Sequence, residues 1–499
     1  MIFVKKPNDT GFCEKGELVI KMLTGFKKFE FERSTPEEVG IDSASIAEFE
    51  KRIRERGIGH QGYMFYRHGK LAASSIAAPY RFTDKRHVYS ISKSWTSTAI
   101  GIAVDEGLIR LDDRLISFFP DELPEKVGDN LAAMTLRHVL SMNTGHETDT
   151  VGRVASREPG WAKRFLALDV ENVPGTHFAY NSTATYMLSA VITKVTGMRM
   201  VDYLKPRLFN PLGISDVWWE ESADGVNDGG WGIHVSPEDM LKLGVLYLNR
   251  GVWNGRRILS ESYIDEATSA VSDNSSNGNI DWKLGYGYQW WRCQHNCYRG
   301  DGAFGQYIIV SPEKDSAAVI ISEDGDMQSI LDIYWDTVFA GMKDQPLPEP
   351  AVKYDTEVNP FMIPPVYSGE SIQPTVYHID KNFTDISEIS LRSVGENLIL
   401  KLGGGIEKSV EIVCGAGEWE YNHFDNCPMS PTQLFGSLAI GIKADIAAAW
   451  GSAGDRLVIR LCFVSTPHGF EFEFRRTEGK LFISKTLDKG AKSLGFTLI

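Results

Sequence analysis

A proline-rich stretch near residue 350 divides the chain into two parts with different sequence patterns. The segment DQPLPEPAVKYDTEVNPFMIPP, residues 344–365, contains six prolines and is typical of a linker with some stiffness. Helix-like and strand-like runs are mixed before it, whereas short strand-like runs separated by Gly, Asn or Pro follow it. The pattern predicts an N-terminal extension of unclear structure at 1–33, a first domain at 34–343, this linker at 344–365 and a second domain at 366–499.

The first domain combines helices and strands in an order that favours an α/β core. A helix capped by Asp42 or Ser43 is expected first, then two strands that turn at His68-Gly69. Residues 130 to 250 contain helix-like runs that end at glycines. Strand-like runs follow in GYGYQWW, GQYIIVS and SAAVIIS, and ILDIYWDTVFAGM predicts a closing helix. We therefore expect an antiparallel sheet flanked by helices, with a helical insert.

The second domain has the pattern of an all-β structure. In FEFEFR, Phe470, Phe472 and Phe474 alternate with charged residues, which places the three phenylalanines on one face of a strand. EISLRS, NLILKLG, SVEIVCG and RLVIRLCFV are further short strands. These runs predict an antiparallel barrel or sandwich.

Composition and charge restrict the partners of the protein. The formal net charge of −14 makes nucleic acid and anionic membranes poor partners, which leaves small molecules. No run approaches about 18 apolar residues and no signal-peptide pattern is visible, so we expect a cytoplasmic location. Cys293 and Cys297 bracket His295 in CQHNC, but further ligands at matching spacing are missing, so a loop is favoured over a metal site.

Ser90 and Lys93 form an S-x-x-K pair at the start of an apolar segment, YSISKSWTSTAIGIAVDEG. Side chains three residues apart share one face of a helix, and burial favours the neutral form of a lysine. A neutral amine could accept the serine proton and make Ser90 a nucleophile. The pair alone fits a helix cap beside a surface lysine equally well. A second copy, Ser311 and Lys314 in SPEK, falls in a proline turn between strands.

The stretch PGTHFAYNSTATYMLS is a second candidate site. A Pro-Gly turn leads through Tyr180, Asn181 and Ser182 into an apolar helix. A tyrosine near a cationic lysine can have a lowered pKa and act as general base or acid. Asn181 or Ser182 could orient that tyrosine or the substrate. Taken alone, a tyrosine in this position is more typical of a packed aromatic.

A glycine-rich stretch, YRGDGAFGQYIIVS, is the third candidate. Gly300, Gly302 and Gly305 satisfy the G-x-G-x-x-G pattern of dinucleotide-binding loops, but that motif needs a following helix, and QYIIVS is strand-like. We interpret the glycines as part of an edge strand where missing side chains let a substrate approach the backbone. The N–H of Ala303 could complete an oxyanion hole with the N–H of Ser90.

Together and in this order, these stretches resemble the serine β-lactamase and penicillin-binding-protein superfamily, in which S-x-x-K is a catalytic motif. The resemblance is greatest to its class C-like branch, with family VIII carboxylesterases, D-aminopeptidases and 6-aminohexanoate-dimer hydrolase. MFYRHGKLAA, GLIRLDDRL, TLRHVLSMNTG and GGWGIHVSPEDMLKLGVLYLNRG also carry it, over about residues 34 to 343. It implies a β-lactamase-like domain in which Ser90 is acylated and Lys93 and Tyr180 share the proton transfers, with the primary base left open.

Two motifs depart from the family pattern. The usual Tyr-x-Asn ends here in Asn181-Ser182, so Ser182 stands where asparagine is expected. The usual Lys-Thr/Ser-Gly or His-x-Gly is Gly300-Asp301-Gly302, without the cation that binds a β-lactam carboxylate. The candidate substrate contacts are Asn181, Ser182, Gly300, Asp301 and Gly302. Because no cation is among them, an anionic β-lactam is disfavoured as the main substrate.

The sequence therefore predicts a metal-independent serine hydrolase that needs no cofactor and acts on an ester, amide or short peptide, with weak or no β-lactamase activity. The alternative is a penicillin-binding-like protein that is non-catalytic or deacylates slowly. The resemblance also allows a β-rich domain, barrel or lipocalin-like, beside the catalytic domain. Such a domain could shape the cleft, exclude large substrates or contribute to a homo-oligomer.

Overall fold

The structure is a computed structural model that describes residues 29–350, 363–379, 386–404, 409–427, 442–485 and 492–498. Most of the predicted N-terminal extension and the middle of the predicted linker lie outside these residues. Phe29 and Phe31, at the described end of the extension, pack on Trp253, and Phe31 also contacts Tyr66. The boundaries assigned to the domains from the sequence remain predictions.

Helices surround and interrupt the strands of the first part of the chain. They are α1 (Ser43–Arg56), α2 (Ser92–Asp105), α3 (Asp129–Ala133), α4 (Leu136–Leu140), α5 (Val151–Val154), α6 (Trp161–Leu166), α7 (Ser182–Thr196), α8 (Met200–Leu204), α9 (Pro237–Leu248), α10 (Glu261–Ala267) and α11 (Met327–Tyr334). Two of the longest, α1 and α7, begin where a polar side chain satisfies a free N–H group. Asp42 accepts from the Ala44 N–H at the start of α1, and Asn181 accepts from the Ala184 N–H at the start of α7.

The described strands of the first part form one main sheet, a three-stranded sheet of β3, β5 and β4, and a pair of β6 with β7. The strands are β1 (His60–Arg67), β2 (Lys70–Ile76), β3 (Arg86–His87), β4 (Trp218–Trp219), β5 (Ile233–Val235), β6 (Val252–Trp253), β7 (Arg256–Arg257), β8 (Trp291–Arg292), β9 (Tyr298–Gly302), β10 (Gln306–Ser311) and β11 (Ser316–Ser322). The main sheet has the order β2-β1-β11-β10-β9-β8, and its neighbours pair antiparallel. The predicted turn at His68-Gly69 is confirmed, since β1 and β2 pair on either side of it.

Both faces of the main sheet are covered, which explains its nearly continuous burial. On one side, Phe65 and Ile320 pack with Phe49 of α1 and Tyr334 of α11. On the other side, residues of β10 and β11 pack with α2 and α9; the close approach of α9 brings Gly244 against Ile308. The predicted α/β core, with an antiparallel sheet, flanking helices and a helical insert, is confirmed. GYGYQWW does not form the expected strand; it is mostly turn and enters the sheet only at Trp291.

The second part of the described chain is strand-rich, as predicted. Its strands are β12 (Thr375–Ile379), β13 (Ile386–Val394), β14 (Asn397–Gly404), β15 (Val410–Ala416), β16 (Glu420–Cys427), β17 (Ile442–Ala453), β18 (Arg456–Phe463), β19 (Gly469–Arg475), β20 (Lys480–Lys485) and β21 (Lys492–Leu498). They form one sheet, and a parallel pairing between β15 and β17 curls it towards a barrel. Phe472 and Phe474 are buried in its core and Phe470 packs against it, as the alternation in FEFEFR predicts.

Candidate active site

The S-x-x-K pair lies at the beginning of α2, where a short helical turn (Tyr89–Ile91) precedes the helix. Lys93 is 1% exposed, and its Nζ lies 3.0 Å from Ser90 Oγ. The amine also donates to the Gly230 carbonyl at 2.7 Å and lies 3.3 Å from Ser182 Oγ. The alternative of a helix cap beside a surface lysine therefore does not describe this pair, because the lysine is buried and directed at the serine.

Burial also sets the protonation of this lysine. Desolvation lowers the pKa of Lys93 to about 7, and the negative charges of Asp149 and Asp301 only partly oppose that effect. A substantial neutral fraction thus exists near neutral pH. The lowered pKa of Lys93 agrees in direction with the expectation from the sequence.

Tyr180 reaches the same place from the segment that leads into α7. Lys93 Nζ lies 4.6 Å from the centroid of the Tyr180 ring, and Tyr180 and Ser90 line the same cavity. The ring stacks on Trp291 with centroids 5.3 Å apart. Desolvation raises the pKa of Tyr180 well above its usual value, and the neighbouring Ser90 side chain opposes the rise only in part. The sequence-based expectation of a lowered pKa is wrong in direction, because burial of the phenol disfavours its charged form.

The two residues after Tyr180 occupy different positions. Asn181 is fully buried, and its Oδ1 accepts from the Thr150 hydroxyl at 3.0 Å and from the Ala184 N–H at 3.2 Å, so it caps α7. Ser182 directs its hydroxyl towards Lys93 instead. Substrate contacts by Asn181 and Ser182 remain predictions, and only Ser182 lies against the S-x-x-K pair.

Strand β9 runs directly against the nucleophile segment. A Cβ on Gly300 would lie 3.0 Å from Ser94 Oγ, and a Cβ on Gly302 would lie 2.3 Å from the Val88 carbonyl oxygen. The missing side chains therefore allow the strand to approach the chain on both sides of Ser90, at Val88 and Ser94, which corrects the interpretation that they leave room for substrate. Substrate binding by Gly300, Asp301 and Gly302 remains a prediction.

Asp301 has a partner that the sequence analysis missed. Arg299 Nε donates to Asp301 Oδ2 at 2.9 Å, and the guanidinium stacks 4.3 Å from the centroid of Trp282. Arg299 is fully buried and forms an ion pair with Asp301, so its guanidinium does not face the cavity as a free cation for a ligand. The sequence pattern that could have predicted this ion pair is the i, i+2 spacing of opposite charges on one strand, where alternate residues share a face.

These groups border one cavity of about 780 Å³. Ser90, Tyr180, Asp301 and Ala303 line it, so the predicted nucleophile and the predicted second oxyanion donor face the same space. The aromatic part of the wall consists of Phe178, Tyr180, Trp282 and Trp291, and the carboxylates in the wall belong to Glu147, Asp149, Asp301 and Asp326. The described wall residues include no arginine or lysine.

The cysteines of CQHNC take part in packing. Cys297 Sγ lies 2.9 Å from Ser311 Oγ, and Cys293 Sγ lies 3.1 Å from an Arg299 nitrogen. Within the described ranges, no group of three or more His, Cys, Asp or Glu side chains has the arrangement of a metal site. Over the same residues, none of the helices has the length and apolar character needed to cross a bilayer.

The first part of the chain thus combines an antiparallel sheet covered by helices with a serine and a buried lysine at the start of one helix. The chain belongs to the Beta-lactamase family, whose model matches residues 47–333. It is 25% identical over 346 residues to 6-aminohexanoate-dimer hydrolase of Paenarthrobacter ureafaciens, which covers 63% of this chain and 85% of that protein. The Beta-lactamase of Escherichia coli K12 is 24% identical over 165 residues, 30% of this chain and 40% of that protein.

Solved structures extend the likeness of fold beyond the residues that the family model matches. The octameric penicillin-binding protein homologue of Pyrococcus abyssi has a TM-score of 0.50 and 16% identity, covering 91% of this chain and 99% of that one. A crystal structure described as a putative beta-lactamase from Bacteroides dorei has a TM-score of 0.51 and 16% identity, with coverages of 60% and 99%. At these identities the likeness concerns the fold alone.

Proposed function

We propose that the protein is a metal-independent serine hydrolase that cleaves an ester or amide through an acyl group on Ser90. The observation that carries the proposal is the 3.0 Å contact between Ser90 Oγ and the buried amine of Lys93, beside a cavity. Serine needs a neighbouring base to become nucleophilic, and a lysine becomes such a base when desolvation removes its proton.

The surroundings of Lys93 suit the neutral amine. The Gly230 carbonyl can only accept, so one N–H points to it, and Ser182 Oγ can accept the second. The lone pair is then free to accept the proton of Ser90 Oγ as that oxygen attacks the substrate carbonyl. Proton transfer leaves Lys93 cationic and the substrate carbonyl oxygen negative.

Main-chain donors and Tyr180 complete the reaction in this proposal. The N–H groups of Ser90 and Ala303 hold the oxyanion of the tetrahedral intermediate. The raised pKa of Tyr180 keeps its phenol protonated, so it can donate that proton to the leaving oxygen or nitrogen and recover one from Lys93. Water then attacks the acyl-enzyme by the reverse proton route and releases the acid.

The charge of the cavity supports neutral or amine-bearing substrates over anionic β-lactams. Among the described residues, four carboxylate side chains border the cavity, and the buried guanidinium of Arg299 is bound to Asp301. A substrate carboxylate would meet repulsion there without a partner. We therefore propose weak or no β-lactamase activity, with small esters, amides or short peptides as substrates. Separately, we propose that copies of the chain assemble into a homo-oligomer.

The rate should depend on pH through Lys93. Since the pKa of Lys93 is lowered to about 7, kcat/KM should rise as pH increases through that value and level off above it, because only the neutral amine accepts the serine proton. A pH–rate profile on a neutral ester checks this. Asp149→Asn is the companion variant: it removes a negative charge that raises the pKa of Lys93, so the midpoint should move to lower pH. A profile that is flat from pH 6 to pH 8 in the wild type would contradict the role assigned to the amine.

The proposal is tested by following turnover and intact mass together. Activated short-chain esters, D-amino amides and a β-lactam are incubated with the protein, and product and protein mass are recorded over time. Multiple turnover of an ester or amide supports the hydrolase. A persistent acyl adduct without turnover identifies the slowly deacylating binder instead. If all of these substrates gave no adduct and no turnover, the hydrolase and the slowly deacylating binder would both be overturned.

A further inference from the structure

A loop of the strand-rich second part docks against the segment that carries the nucleophile. The loop joins β18 to β19 and contains Ser465 and His468. The Ser465 carbonyl accepts from the His87 N–H at 2.8 Å, three residues before Ser90. Beside it, Tyr80 packs with Cys462 and Val464. The second part of the chain thus contacts the candidate active site from outside the cavity.

His468 connects three separate parts of the chain through buried hydrogen bonds. Its Nε2 bonds with the Tyr89 hydroxyl, and its Nδ1 lies 2.7 Å from Glu323 Oε1. Tyr89 and Glu323 are each 1% exposed and His468 is 7% exposed. A carboxylate only accepts, so His468 donates to Glu323 through Nδ1, and its Nε2 is the atom that pairs with the Tyr89 hydroxyl. The chain of bonds runs from Glu323 through His468 to Tyr89.

Tyr89 and Phe304, two aromatic residues in an uncommon backbone conformation, are chain neighbours of the two candidate oxyanion donors, and their rings contact each other with centroids 5.2 Å apart. Tyr89 has φ 50° and directly precedes Ser90, while Phe304 has φ 69° and directly follows Ala303. Bulky residues rarely adopt positive φ, and such residues persist where the surroundings hold them. The His468 ring contacts both, with centroids 5.9 Å from Tyr89 and 4.9 Å from Phe304. One imidazole therefore supports the backbone beside both proposed N–H donors.

We infer that His468 is a positioning residue for the acyl-transfer reaction, acting through Tyr89 and Phe304 on the N–H groups of Ser90 and Ala303. The inference rests on the proposed function. His468 does not line the cavity in the described structure, so it acts without touching substrate. Oxyanion donors stabilise the transition state more than the bound substrate. Misaligning them should therefore lower kcat and leave KM nearly unchanged.

The test compares His468→Ala, His468→Gln and Tyr89→Phe in the full-length protein. His468→Ala should lower kcat for a neutral ester about 10- to 100-fold, since small displacements of reacting groups have effects of this order. His468→Gln should recover most of the loss, because its amide oxygen can accept from Tyr89. Tyr89→Phe should lower kcat as His468→Ala does, and the double variant should be no worse than either single one. His423→Ala is the matched control, since His423 is an exposed histidine of the same region paired with Asp445.

The outcomes separate this inference from the proposed function. An unchanged kcat in His468→Ala would overturn the positioning role alone. The same holds if the Ala and Gln variants lose kcat equally and in proportion to the fall in their melting temperatures. Absence of Ser90-dependent turnover in the wild type would overturn the proposed function and this inference with it. An active wild type with a selective loss of kcat in His468→Ala and Tyr89→Phe, recovered by His468→Gln, would support both.

Discussion

Replacing Ser90 with alanine should abolish ester and amide turnover, with a loss on the order of 10⁴-fold or more, as for other enzymes that lose their nucleophile. Ser90 is half-buried, and the substitution removes only one hydroxyl and its contacts with Lys93 and Tyr180. We therefore expect the fold to be retained and the acyl adduct to disappear together with turnover. Initial rates and intact mass, measured on the same samples, check both expectations.

The chain supplies a matched control for this substitution. Ser311 is the serine of the second S-x-x-K pattern, but its hydroxyl lies 2.9 Å from Cys297 Sγ at the end of β10. Ser311→Ala should therefore keep near wild-type kcat. Equal losses in the two variants, or an active Ser90→Ala variant, would remove Ser90 from the role of nucleophile.

Replacing Lys93 with methionine should lower kcat by at least ~100-fold, the lower end of the range for acid–base groups. Methionine preserves a long unbranched side chain in a fully buried position, so the volume of the site is nearly kept while the amine is lost. The rise of activity through pH 7 should disappear with the amine. Stopped-flow acylation and a pH–rate profile of the variant measure the two effects.

Lys314 provides the corresponding control, because it occupies the lysine position of the second pattern and donates to the Met342 carbonyl at 3.5 Å, away from the cavity. Lys314→Met should leave both kcat and the pH profile unchanged. If Lys93→Met retained a near-normal rate, Tyr180 or another group would have to be the base and the proposed proton route would be wrong.

Local patterns predicted much of the fold because local physics determines those elements. The β1–β2 hairpin follows from His68-Gly69, α7 from an apolar helix-like run that ends at Gly197, and β19 from its alternating phenylalanines. GYGYQWW was predicted as a strand and is mostly turn. Its Tyr286 and Trp291 pack in an aromatic cluster with Met142, so burial there comes from loop packing and does not require strand pairing.

The candidate site was predictable in its residue types and less so in its electrostatics. Ser90 and Lys93 are close in sequence, so helix geometry alone brings them together. The Gly230 carbonyl that holds the amine is 137 residues away, and His468 bonds Tyr89 across 379 residues. The direction of the Tyr180 pKa likewise depends on how far distant segments enclose its ring. Spacing along the chain contains no signal for such long-range effects.

The most direct test of the account is to locate the acyl group during turnover. The wild-type protein is mixed with an activated ester, quenched in acid within milliseconds, digested and mapped by peptide mass. We predict that the acyl mass is on Ser90 and that it forms and decays at rates consistent with kcat. An acyl group on another residue, or rapid turnover with no acyl group on Ser90 at any time, would contradict the central claim.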